Sequence, residues 1–341
     1  MDLARLSQSF QVFAERECRH SSQLYYHLAK QISRDDRLLE LCKQTRSGQP
    51  VPNMLFGAVH YLLLKGKGKQ QLHNYYASMT ENPVDAVEAY PVFRAFCLQN
   101  EQEMTHLLQT KLVQTNEVRR CAYLLPVFSY IYEKINKPLA LVEIGTSAGF
   151  QLLWDTYRYV YNGSTIGDDK DGYIISEVKG EQQPYIPKEM PSVNCRYGLD
   201  LHINDVMNAE DYLWLQALIW PEHEDRRMLF QMAANQVDRY QDELHFMEGD
   251  GVQLLPQVVD KISEDAIVCV FHTHVANQFP EALKNRLLEN IRFIGKRRDI
   301  FHVYNNMWDT KLHIDSIVDK KEHKKIVGTT DGHGRWFTWE L

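Results

Sequence analysis

Glu143, Gly145, Thr146, Ser147 and Gly149 fall in one short stretch, directly after the apolar run Leu139 to Ile144. An acid, two hydroxyls and two glycines at that spacing can hold a polar ligand against bare backbone. Glycine removes the side chain where the chain turns sharply, and a carboxylate accepts hydrogen bonds from hydroxyl or amino groups. Two further acids stand after glycine: Asp200 in Gly198-Leu199-Asp200, and Asp250 in Gly249-Asp250. Asp200 suits a pair of sugar hydroxyls, and Asp250 suits an amino group on a base. The plain structural alternative for each is a helix N-cap just after a strand. Glu177 competes with Asp200 for the sugar. His272-Thr273-His274 sets two imidazoles at period-two spacing, on one face of a strand. His272 is a candidate general base, with His274 on the substrate side, although a histidine packed over the sheet is the simpler reading. The spacing offers no third ligand, so no metal is expected. Asn116 and Arg119, next to Thr115 and Arg120, suit a helix cap with solvated charge. Alternatively Asn116 and one guanidinium reach over the ligand, where the arginine would hold a carboxylate. Trp220, in Trp220-Pro221-Glu222, is either core or the edge of a lid.

The elements that must position these groups follow from hydrophobic period. Residues 1 to about 135 read as helical, with Leu3, Leu6, Phe10 and Phe13 at helix spacing and Pro52 to Leu64 strongly apolar. Asp35 or Asp36 caps a helix, Thr115 or Asn116 another, and Gly66 and Gly68 break the pattern. Leu139 to Ile144 reads as a strand buried on both faces, Gly145 as a tight turn, and Ser147 as the cap of a helix carrying Phe150, Leu152, Leu153, Tyr157 and Val160. Tyr161 to Pro191 reads as an inserted hairpin or flap. Strands are expected over 192–200, 243–250, 266–271 and 299–304, alternating with helices over 205–220, 225–240, 254–262 and 281–294. Asp331-Gly332-His333-Gly334 signals a closing hairpin between 325–329 and 335–341. Such alternation implies a parallel sheet with right-handed crossovers, whose ligands sit beyond the carboxyl ends of the strands.

Glu-x-Gly-x-x-x-Gly at the end of a first strand resembles motif I of class I S-adenosylmethionine-dependent methyltransferases. Only part of the dinucleotide pattern Gly-x-Gly-x-x-Gly is present, and no Gly-Lys-Ser/Thr follows. The resemblance widens over Gln114-Thr115-Asn116-Glu117, Glu143 to Gly149, Gly198-Leu199-Asp200, Trp220-Pro221-Glu222, Gly249-Asp250 and Val270-Phe271-His272. Together these resemble a bacterial family catalogued as domain of unknown function 2332, regarded as methyltransferase-like, over nearly the whole chain. The resemblance implies an α/β fold of class I methyltransferase-like (Rossmann-like) type. Its mostly parallel sheet would end in an antiparallel hairpin (136–341), behind an all-helical N-terminal cap (1–135). It implies S-adenosylmethionine as cofactor and methyl transfer, with Glu143, Gly145, Gly149, Asp200 and Asp250 on the cofactor side. Thr146, Ser147 and Gly249, beside them, are expected to join the cofactor site, and a helical cap with negative net charge suggests a small-molecule acceptor. The alternative is a non-catalytic ligand-binding or interaction protein on the same fold. After Asp200 the family often has Asn-Pro, where this chain has Leu201-His202-Ile203-Asn204.

Composition bounds the rest. The 341 residues suit two domains, and 44% hydrophobic with 24% charged residues is ordinary globular usage. A net charge of −7 without a basic block argues against a nucleic-acid partner. Six scattered cysteines without a Cys-x-x-Cys pair give neither a zinc ribbon nor a disulfide framework. With no signal-peptide core at Met1-Asp2-Leu3-Ala4-Arg5 and no spanning run, a cytoplasmic location is expected.

Overall fold

The computed structural model describes residues 2–67, 71–114, 116–167 and 172–341. Gly68, Thr115 and residues 168–171 of the expected insertion lie outside the described residues. The helices are α1 (Leu3–Phe13), α2 (Gln23–Ile32), α3 (Asp36–Cys42), α4 (Val51–Leu64), α5 (Ala89–Gln99), α6 (Glu101–Thr110), α7 (Cys121–Ile135), α8 (Ala209–Ala217), α9 (Glu224–Arg239), α10 (Gly251–Val259) and α11 (Glu281–Gly295). The strands are β1 (Leu139–Ile144), β2 (Tyr159–Tyr161), β3 (Ser164–Ile166), β4 (Ile174–Lys179), β5 (Val193–Asp200), β6 (Leu244–Glu248), β7 (Ile267–Thr273), β8 (Ile300–Asn305), β9 (Lys311–Val318), β10 (Lys321–Thr329) and β11 (Trp336–Thr338).

The chain divides into two compact units, Met1–Thr115 with Asn208–Met228, and Asn116–Met207 with Leu229–Leu341. This differs from a boundary near residue 135. Helix α7 belongs to the sheet unit, because Phe128 packs on Trp154 and Phe271. Helix α8 belongs to the helical unit.

In the helical unit, Ser22 caps α2 by accepting from the Tyr25 amide at 3.1 Å, and Asp35 caps α3. Helix α4 is apolar almost all round, so it is enclosed by its neighbours. Phe56 at its middle stacks on Tyr25, with ring centres 4.1 Å apart, and on Phe13 at 5.7 Å. Trp214 and Ala217 of α8 complete this core, and the Trp214 indole donates to the Leu112 carbonyl at 2.7 Å. Buried His60 bonds the Ala217 carbonyl and the Ser78 hydroxyl; burial pulls its pKa down to about 4. Trp220 packs edge-on to Phe13 and stacks on His223, so it lines the helical core rather than edging a lid.

The other unit is built on a mostly parallel seven-stranded sheet, in the order β6-β5-β1-β7-β8-β9-β10. From β6 to β8 all pairings are parallel; β9 runs antiparallel to both β8 and β10. The parallel strands therefore read third, second, first, fourth, fifth, and the order reverses between β1 and β7. On one face Val142 and Val270 meet Leu255 of α10 and Ile291 of α11. A second sheet, β3-β2-β4-β11, is nucleated by a hairpin whose turn residues Asn162 and Gly163 both have positive φ.

Two expectations fail here. No α-helix follows the glycine turn: Phe150–Thr156 is a short 3₁₀ stretch kinked at Leu153, because the chain must straighten at Tyr157 to enter β2. The antiparallel hairpin closes at Asp319-Lys320, both left-handed, and uses β9, which the sequence reading missed. The expected 331–334 turn does close a second, short antiparallel pairing, in which Thr330 bridges Phe337, the Asp331 amide donates to the Trp336 carbonyl at 2.9 Å and the Glu340 amide to the Val327 carbonyl at 2.7 Å; β11 then also pairs parallel with β4. Among the described residues, no helix is long and apolar enough to cross a membrane.

Candidate functional site

The apolar run of β1 ends at Ile144, and the chain then turns through Gly145 (φ 79°), Ser147 (φ 52°) and Gly149 (φ 80°). This left-handed corner stands at the carboxyl end of β1, beside the reversal in strand order where open α/β sheets bind ligands. Side chains hold it from three sides. Asn116 donates to the Ser147 hydroxyl at 2.7 Å and accepts from the Ala148 amide at 3.3 Å. Asn204 donates to the same hydroxyl at 2.8 Å. Asp200, at the tip of β5, accepts from the Ser147 amide at 2.8 Å and from the His202 amide at 3.3 Å. Ser147 thus caps no helix. Glu117, not Asn116, caps the turn that leads into α7, accepting from the Arg119 amide.

Glu143 is buried on β1, and the Thr146 hydroxyl donates to it at 2.6 Å. Burial, reinforced by the Asp200 charge, pushes its pKa up to about 8; Thr146 and Arg120 oppose the shift. Burial also raises Asp200 against the backbone amides that it accepts. A buried acid of this kind gains from a cation placed beside it. The two acids thus frame the corner. Glu177 does not: it lies on β4 in the second sheet, exposed and near Lys179. Asp250 caps α10 through the Val252 and Gln253 amides, and Gly249 (φ 148°) forms the turn before it. Glu248, in register with Asp200 on β6, stands at the same rim and accepts from the Ile203 amide at 3.1 Å.

The corner is also packed. A Cβ at Gly145 would sit 2.6 Å from the Val275 side chain, and one at Gly149 would sit 2.6 Å from the Phe246 ring. Phe246 rests against Gly198 as well and keeps 36% of its surface exposed.

At the tip of β7 the histidine expectation is overturned. His272 is fully buried and among the described residues bonds only His302, Nε2 to Nε2 at 3.0 Å, so it cannot meet a substrate as a base. His274 does not share its face, because φ turns to +56° there and breaks the strand alternation. Its amide donates to Asn305 at 3.1 Å and Asn306 stands 3.1 Å from its ring; burial, with Arg120 nearby, pulls its pKa down to about 3. Arg120, next to Arg119, reaches the strand tips: its Nε donates to the Gly332 carbonyl at 3.0 Å, and its guanidinium lies 3.4 Å from Thr273. Thr273 donates to Gln151 at 2.9 Å. Among the described residues no three His, Cys, Asp or Glu side chains group to hold a metal ion.

The family of domain of unknown function 2332, described as an uncharacterized protein conserved in bacteria, matches residues 7–339. The chain belongs to this family. No curated protein and no solved structure matches it.

In this member of the 2332 family the site groups that sequence reasoning missed are Gln151, Asn204, Phe246, Glu248 and Val275. Asn204 alone carried a signal, since it stands in the loop where the chain departs from the usual Asn-Pro. Gly145→Ala is expected to cost about 1–2 kcal/mol for the left-handed backbone, read as a lower urea midpoint. Val275→Ala in the same chain removes the methyls at 2.6 and 3.1 Å but keeps the Val275 Cβ at 2.9 Å, so it relieves the contact only in part and leaves that backbone cost.

Proposed function

We propose that this family member binds S-adenosylmethionine at the corner after β1 and transfers its methyl group to a small molecule. The observation that carries the reading is the pair of partly or fully buried acids, Glu143 and Asp200, framing a left-handed backbone corner where the strand order reverses. The donor set fits. Glu143 would face a cationic group, Asp200 and Glu248 the sugar hydroxyls, and the exposed side of Phe246 a base. Arg120 would draw a carboxylate. Asn116 and Asn204 would keep the corner in shape. Bound there, the cofactor supplies an electrophilic methyl on a good leaving group, so positioning provides much of the rate and no histidine base is required. Calorimetry with S-adenosylmethionine, its demethylated product and NAD tests this. Binding of the two sulfur compounds supports it, and binding of NAD alone rejects it. Asp200→Ala should weaken binding by about 1–3 kcal/mol; an unchanged affinity removes Asp200 from the site.

A second reading is favoured by Val275 and Phe246 packing on the two glycines and by the burial of His272. It is a ligand-binding protein without turnover. Transfer of labelled methyl into a cell extract separates the two.

A further inference from the structure

We propose that the His272–His302 pair is a proton-operated latch between β7 and β8, fed from solvent through a small cavity beneath α11. Both rings are wholly buried, with their Nε2 atoms 3.0 Å apart. Two neutral imidazoles can close such a contact only as unlike tautomers. One donates Nε2–H, and the other accepts at Nε2 and keeps its proton on Nδ1. A first added proton leaves the N–H···N bond in place. A second sets N–H against N–H and breaks it.

The surroundings supply both a route and a counter-charge. The Nδ1 atoms of His272 and His302 and Oδ1 of Asp315 find no hydrogen-bond partner among the described residues, although all are buried. Such atoms need an explanation in a native core. His302 and Asp315 face each other in register across β8 and β9, and both line a cavity of about 30 Å³. That is room for about one or two waters. Its other walls include Arg292 of α11, Glu322, His323 and Lys324 of β10. Arg292 and Glu322 pair at 3.3 Å, with about half of each side chain exposed, so this wall of the cavity meets solvent. Tyr304 lies beside both rings and stacks on His313, and its hydroxyl donates to Asp315 at 3.1 Å. Among the described residues no carboxylate is hydrogen-bonded to either imidazole.

Burial holds His272 down to about 3 and His302 well below its ordinary value. The sign follows. An opened chain takes up protons near pH 6.5, which the closed pair resists, so the latch is firm above 6.5 and weakens as pH falls toward 3. Its release reaches the candidate site, because His272 is followed by Thr273, in register with Asn305, and then by His274 and Val275.

The test uses the full chain labelled with ¹⁵N-histidine. At pH 7.5 two rings should appear neutral, one as each tautomer. On acidification they should stay unprotonated well below 6.5 and then change together as pH falls toward about 3, with uptake of about two protons. In His302→Asn the pH dependence of the unfolding midpoint should fall by about that uptake. Independent titration of both rings near 6.5 in the native chain overturns the proposal, as does an unchanged slope in the variant. If His302→Asn does not fold, the tautomer and titration result on the native chain decides alone.

Discussion

Asp155→Ala is expected to lower stability by about 3 kcal/mol, measured by urea unfolding at pH 7. Arg196 on β5 is 6% exposed and grips Asp155 with two bonds, at 2.7 and 2.8 Å, while donating to the Leu152 carbonyl at 2.7 Å. This clamp fastens the kinked stretch after the glycine corner to the neighbouring strand. Without the carboxylate, a buried guanidinium loses its chief counter-charge. That loss dominates, because the remaining partner Glu243 is 3.6 Å away and more than half exposed. Replacing both residues by leucine should cost much less than the single change, since the desolvation penalty of the ion pair disappears with the pair. A double change as damaging as Asp155→Ala would mean that packing, not charge, sets the cost.

Gly334→Ala should be comparably damaging, at about 3 kcal/mol, from left-handed strain of about 1–2 plus overpacking of about 1–3. Its φ is +73°, and a Cβ there would stand 2.5 Å from the Arg119 carbonyl oxygen and 2.9 Å from the Arg120 nitrogen. Those are main-chain atoms, which cannot rotate away. Gly48 is the control: φ is +84° with nothing within 4 Å, so Gly48→Ala should cost only the backbone part, about 1 kcal/mol. Because Arg120 also bonds the neighbouring Gly332, Gly334→Ala should disturb ligand binding at the strand tips as well; calorimetry on the folded fraction checks this.

The sheet was legible where burial on both faces made the code simple. The strands at 139–144, 193–200, 244–248, 267–273 and 300–305 lie within a few residues of expectation, because runs such as Leu139 to Ile144 have one reading. Strand β9 was not legible. Lys311, His313 and Asp315 alternate with Leu312 and Ile314, and His313, Asp315 and Ser316 gave no continuous apolar run. The apolar residues of Phe150–Thr156 satisfied helix spacing, but the demand that the chain become extended at Tyr157 to enter β2 prevailed over local preference. At the candidate site, glycine and acid positions could be read from sequence. The partners that occupy them could not, because Asn204, Phe246 and Val275 reach the corner from distant segments. His272 misled for a related reason. Its partner His302 sits on another strand, so nothing local distinguished a paired core imidazole from a base.

The late arrival of α8 in the helical core bears on how the chain is made. As the polypeptide leaves the ribosome, His60, Tyr61 and their neighbours must wait for residues 116–207 to be synthesised before Trp214 and Ala217 can cover them. During that interval the nascent N-terminal segment shows an oily surface that its own sequence cannot yet bury, the kind of exposure that favours aggregation before synthesis is complete.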